Sequence, residues 1–176
     1  MDRRGLVIVH TGDGKGKTTA ALGLALRAFG AGLKVLILQF IKGGRTSSEL
    51  AAINVLKSFR PTIDIRQMGL GFITDKNFAE QKKSAKAALD IAKAEILSGK
   101  WDLIILDEIN YTVKFGLLDT SDILELINIR PPQMHLVFTG RNAPSELINS
   151  ADLVTCMTLI KHPYQNGIVA QVGIEF

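Results

Sequence analysis

The chain has 176 residues, 47% of them hydrophobic and 22% charged, with a formal net charge of +4. That length and apolar content suit one domain with its own core and exclude a polar, disordered chain. The basic balance fits an anionic ligand, but no Lys/Arg run interleaved with aromatics marks a nucleic-acid surface. In chain order, apolar runs of strand length fall at residues 5–10, Lys34–Phe40, Ile63–Met68, Trp101–Leu106, His135–Thr139, Asp152–Thr158 and Ile168–Glu175. Between them the patterns predict helices over Lys17–Phe29, Asp75–Leu97 and Ser121–Asn128, with shorter ones near Ser48–Lys57 and Pro144–Asn149.

Val35–Leu38 and Leu103–Leu106 are apolar at every position, as expected of parallel strands covered by helices on both sides. Ala85, Leu89, Ala92 and Ile96 recur at helical steps, and Lys82, Lys83, Lys86 and Lys93 fall on the solvated face. The first helix is rich in Ala, Leu and Gly and should pack closely on the sheet. The single cysteine, Cys156, excludes an internal disulfide, and its apolar neighbours predict a buried, inert thiol. No segment reaches 18 uninterrupted apolar residues and none resembles a signal peptide, so the expectation is a cytoplasmic protein with no membrane contact.

The most telling stretch is Thr11-Gly12-Asp13-Gly14-Lys15-Gly16-Lys17-Thr18-Thr19, directly after the apolar run Leu6–Val9. Strand, glycine-rich turn and helix together form a phosphate cradle, because loop amides and the positive helix end converge on one anion. Lys17 is placed to reach the outer phosphates and the Thr18 hydroxyl to hold Mg²⁺. The usual first glycine of such a loop is here Thr11, with extra glycines at 12 and 14. The fold expectation is a three-layer α/β domain of P-loop NTPase type, with a mainly parallel sheet, spanning residues 1–176.

The strand from Trp101 delivers Asp107 and Glu108 at its carboxyl end, where open α/β sheets place their ligands. A metal-bound triphosphate needs such oxygens. The pair leaves open hydrolysis, another use of ATP, or simple capping by the Asp. Thr139-Gly140-Arg141 ends a further apolar strand and offers Arg141 to phosphate. His10, His135 and His162 lack zinc-ligand spacing, and the first two read as structural.

These blocks, with Gln39-Phe40-Ile41-Lys42-Gly43, Met68-Gly69-Leu70-Gly71-Phe72 and the ending from Lys161 to Ile174, resemble the P-loop class of ATP:corrinoid (cobalamin) adenosyltransferases. The resemblance covers nearly the whole chain, and Thr11 before the glycines is part of it. It implies attack of Co(I) on the 5′ carbon of ATP, with triphosphate as leaving group. It implies Lys17, Glu108 and Arg141 as catalytic groups, and Thr18, Asp107 and Glu108 around Mg²⁺, with Mn²⁺ as an alternative. Lys15 either joins the phosphate site or faces solvent.

The corrinoid contacts implied are Gly71, Phe72 and Thr74. Thr74 stands where relatives commonly carry a Trp, and the alternative for Phe72 is burial in the domain core. Bacterial relatives often have an N-terminal extension over the site, whereas the first strand begins here near Gly5, so a more open corrin site is expected unless a neighbouring subunit covers it. A homodimer and an electron donor such as a flavoprotein reductase are further implications. The competing readings are a P-loop ATPase or kinase acting on another substrate, and a nucleotide-binding module without catalysis.

Overall fold

The computed structural model describes residues 4–44 and 47–175. Six strands form one sheet: β1 (Val7–Thr11), β2 (Val35–Gln39), β3 (Ile63–Gln67), β4 (Leu103–Asp107), β5 (His135–Thr139) and β6 (Leu153–Cys156). Their order is β3-β2-β4-β5-β1-β6, and every pairing is parallel. Among the described residues six α-helices cover it: α1 (Lys17–Gly30), α2 (Ser48–Phe59), α3 (Phe78–Leu97), α4 (Ile109–Lys114), α5 (Thr120–Asn128) and α6 (Ser145–Ser150). The parallel connections require crossovers, and the helices that make them leave the central strands buried on both faces.

The two-residue period of the strands sorts their side chains into two cores. Val7, Val9, Leu36, Leu38, Ile104, Leu106, Leu136 and Phe138 meet Ala85, Leu89, Ala92 and Ile96 of α3 and Ile123 and Leu126 of α5. Ile8, Val35, Ile37, Ile63, Leu103, Ile105 and Val137 face the opposite way, onto α1 and α2. The face of α1 against the sheet is Ala21, Ala25 and Ala28, small enough for close approach. Gly23 of that helix has open space around it and contributes nothing to the fit.

The structure departs from the sequence reading in four places. Residues 168–175 form irregular chain followed by a turn over 172–175 rather than a seventh strand, with Gly167 and Gly173 at left-handed φ values of 73° and 78° interrupting extension. Cys156 is exposed, because β6 is an edge strand exposed along its length. The third helix opens with a 3₁₀ turn over Asp75–Asn77 before α3 begins. Finally, the six-residue α4 is absent from the sequence pattern, because its buried positions, Ile109, Asn110 and Thr112, are mostly polar and give no apolar period. No helix among the described residues is long and apolar enough to cross a membrane.

Candidate active site

Thr11, Gln39, Asp107 and Thr139 end four neighbouring strands on one edge of the sheet, and the phosphate loop leaves β1 at that edge. Gly12 and Gly16 take φ values of 95° and 109°, which L side chains rarely adopt. The loop is also clamped from behind. Met157 donates its amide to the Thr11 carbonyl at 2.8 Å and accepts from the Gly14 amide at 2.7 Å. A Cβ on Gly12 or Gly14 would stand 2.4 or 2.8 Å from the Met157 carbonyl oxygen, which explains the additional glycines. Thr11 has its own task, since its hydroxyl accepts from the Ala143 amide at 3.1 Å and ties the loop to the turn that carries Arg141.

Lys17 is folded back over the loop, donating to the carbonyls of Gly12 at 2.7 Å and Gly14 at 2.6 Å. Burial, and next the nearby Arg141 charge, hold its pKa below the ordinary lysine value. Thr18, at the start of α1, donates to Asp107 Oδ1 at 2.8 Å. Thr139 of the intervening strand donates to the same oxygen at 2.8 Å and accepts from the Glu108 amide at 2.8 Å. Glu108 therefore follows its strand in a left-handed conformation, φ 61°, a costly state for a side-chain-bearing residue. Burial, and then repulsion from Asp107, push its pKa up to about 6.

These groups surround a cleft of about 640 Å³, within the range of small-molecule sites. Gly14 to Thr19, Glu108, Thr139, Gly140 and Arg141 line it; Thr11, Gly12 and Asp107 support it from behind, and Asp13 is exposed beside it. Lys15 is at the cleft and pairs with Glu175 at 2.5 Å. Lys42, Glu49 and Tyr111 also line the cleft, although the sequence assigned them no role. Burial works against the charge on Lys42, but its hydrogen bond to Glu49 prevails and raises the pKa. The signal for Lys42 was the block from Gln39 to Gly43, in which it follows an apolar strand at its carboxyl end; Glu49 and Tyr111, on α2 and α4, had none.

The residues of the resemblance-based corrinoid set lie outside this cleft lining, on the loop after β3. Gly43 and Gly69 bring the two loops into backbone contact, for a Cβ on Gly43 would stand 1.6 Å from the Gly69 carbonyl oxygen. Gln81 donates to the carbonyls of Gly71 at 3.1 Å and Phe72 at 3.2 Å, and Ser84 donates to Met68 O at 2.7 Å. Phe72 is 86% exposed, which overturns the core alternative. Thr74 is an exposed cap whose amide and hydroxyl both donate to Asn77 Oδ1.

His135 Nδ1 accepts from Leu6 N at 3.1 Å, His162 Nδ1 accepts from Tyr164 N at 3.1 Å, and His10 is buried in β1. Among the described residues, no three His, Cys, Asp or Glu side chains group to hold a metal. The oxygen donors Thr18, Asp107 and Glu108 nevertheless fit Mg²⁺, which uses one or two carboxylates and takes its remaining ligands from phosphate and water.

The parallel sheet, glycine loop and strand-end carboxylates define a fold of P-loop NTPase type. The solved structure of the flagellar accessory protein FlaH from Methanocaldococcus jannaschii shares this fold, with a TM-score of 0.58 at 16% identity over 88% of this chain and 71% of that one. Residues 3–176 match the family described as ATP:corrinoid adenosyltransferase BtuR/CobO/CobP, and the chain belongs to that family. A corrinoid adenosyltransferase of Pseudomonas aeruginosa is 39% identical, over 99% of this chain and 85% of its own length. One from Escherichia coli K12 is 36% identical, over 100% and 88%.

Proposed function

We propose that this chain, acting as one domain, transfers the 5′-deoxyadenosyl group of ATP to Co(I) of a corrinoid substrate and releases triphosphate. The cobalt of the substrate supplies the electron pair, the carbon–cobalt bond forms at C5′, and the C5′–O bond breaks with its pair leaving on triphosphate. Co(I) is itself a powerful nucleophile, so no side chain needs to act as base. The protein's task is to stabilise negative charge growing on the leaving group, for which preorganised donors in a partly closed cleft are suited.

The observation that carries this reading is the assembly of the loop, Lys17, Thr18, Glu108 and Arg141 around one cleft in a member of this family. Because the Gly14 amide is committed to Met157, phosphate falls to the amides nearer the helix, from Lys15 to Thr18. Phosphate oxygens compete with the Gly12 and Gly14 carbonyls for the Lys17 ammonium, and Arg141 adds a second cation. Thr18, Asp107 and Glu108 would hold Mg²⁺ or Mn²⁺, which supplies positive charge against the triphosphate.

The exposed Leu70 and Phe72, on a loop fastened by α3, offer an apolar surface to the corrin beside Gly71, with Thr74 at its rim. Reduction to Co(I) is assigned to an electron donor such as a flavoprotein reductase. A cytoplasmic homodimer completes the reading, on the family resemblance alone. The test is ATP with its β,γ-bridge oxygen replaced by methylene, supplied with chemically reduced cobalamin. Adenosylcobalamin should still form, because only C5′–O breaks; ADP formation from ordinary ATP without corrinoid would instead indicate an ATPase.

A further inference from the structure

Gln39 is fully buried at the end of β2, after four apolar residues, Val35–Leu38. A buried amide is costly unless its donors and acceptors are matched, and here they are matched in one direction along the sheet. The parallel register sets Gln67 of β3, Gln39 of β2 and Asp107 of β4 side by side on three adjacent strands. Gln39 Nε2 donates to Asp107 Oδ2 at 3.1 Å, and Gln67 Nε2 donates to Gln39 Oε1 at 3.3 Å. Because a carboxylate only accepts, Asp107 fixes which way the Gln39 amide is turned.

Asp107 Oδ1 is already shared by the hydroxyls of Thr18 and Thr139, so Gln39 secures the other oxygen. None of these three donors carries a charge. They set the rotation of the carboxylate and leave its negative charge available to a cation. At its far end the row enters the loop of residues 68–72, where Met68 N donates to Gln39 O at 2.9 Å and Gly71 N to Ile41 O at 2.8 Å.

From this row we infer that Gln39 is a positioning residue for the divalent cation of bound ATP, holding Asp107 in register and linking it through Gln67 to the loop at residues 68–72. The inference rests on the nucleotide reading of the cleft. Gln39 touches neither nucleotide nor corrin; it acts through Asp107. Groups that orient a metal-binding carboxylate commonly change metal affinity by about 10–100-fold when removed.

The experiment is a binding titration without corrinoid, so that turnover plays no part. Mn²⁺ binding in the presence of ATP is followed by electron paramagnetic resonance, and ATP binding in excess chelator by calorimetry. Gln39→Met keeps the length of the side chain and removes its amide hydrogen bonds to Asp107 and Gln67, together with the one to Glu49. It should weaken Mn²⁺ binding with ATP by about tenfold or more, while metal-free ATP affinity stays within about twofold of the unmodified protein. Equal losses with and without metal, or unchanged Mn²⁺ affinity in a folded variant, would overturn the positioning role. Should Gln39→Met not fold, Gln67→Leu on edge strand β3 keeps the question open to refutation. It must show a smaller loss of Mn²⁺ affinity in the same direction, and no loss overturns the inference. If Mn²⁺ does not strengthen ATP binding to the unmodified protein, the reading of the cleft itself fails, and this inference with it.

Discussion

The phosphate end of the sheet and the neighbouring loop at residues 68–74 are built on opposite plans. At the phosphate end, several polar groups are wholly or partly buried and already paired: Thr18 and Thr139 on Asp107, Lys17 on the loop carbonyls, Met157 on Gly14. In the other loop the backbone is fastened by Gln81, Ser84 and Asn77, while the large apolar side chains Leu70 and Phe72 stand in the open. The first arrangement suits a charged ligand that needs fixed donors. The second suits a broad apolar ligand, since exposed apolar groups gain by being covered. A two-substrate enzyme can divide its labour in this way, with electrostatic work on one side and desolvation on the other.

The largest effect that separates the two regions is expected from Lys17→Ala. Removing this cation should lower kcat/KM with respect to ATP about a hundredfold or more, yet leave corrinoid binding unchanged. Steady-state kinetics and separate binding titrations check both halves of that statement. Gly12→Ala comes next. Its φ of 95° and the Met157 carbonyl 2.4 Å from the new Cβ should cost about 1–3 kcal/mol of stability, seen in denaturant melts. ATP affinity should fall with it, because the clamp from Met157 can no longer close.

Glu108→Gln should lower turnover about tenfold and shift the Mg²⁺ requirement upward, with part of the loss recovered at high Mg²⁺. A variant with neither change removes Glu108 from the metal assignment.

The apolar region should respond differently. Phe72→Ala should slow adenosylation that starts from Co(II) and reductant, and act much less when Co(I) is supplied ready-made, as loss of the lower axial ligand is then no longer needed. Because Phe72 is 86% exposed, the melt should move by no more than about 0.5 kcal/mol, whereas a buried Phe would cost about 3–5. The smallest effect is expected from Thr74→Trp. It gives up one hydroxyl hydrogen bond to Asn77 and adds apolar surface. ATP affinity should stay constant, with Co(II)-dependent turnover equal or higher, and parallel ATP titrations with both cobalt states decide it.

The same contrast accounts for what was legible in the sequence. The six strands were legible as strand-length runs, β2 and β4 through apolar character on both faces, and the strand-end edge through Thr11–Thr19, Asp107-Glu108 and Thr139–Arg141, each a local pattern. Glycines 12 and 14 were visible, but their cause was not. It is the approach of Met157, some 140 positions further on, which no local pattern carries. Lys42, Glu49 and Tyr111 reach the cleft from separate elements, and the Gln67–Gln39–Asp107 row exists only through strand order. Residues 168–175 and Cys156 misled in the opposite direction, because an apolar run implies burial only where something covers it. Here the edge strand and the turns beyond it remain exposed.

The central claim is that both regions serve one displacement at C5′ of ATP, and product stoichiometry tests it most directly. ATP and chemically reduced cobalamin are incubated with the protein; adenosylcobalamin is read by its absorbance and the phosphate products by phosphorus magnetic resonance. The account predicts one intact triphosphate for each adenosylcobalamin formed, with no phosphate release when corrinoid is omitted. ADP and orthophosphate as the primary products, with no cobalt–carbon bond formed, would contradict it.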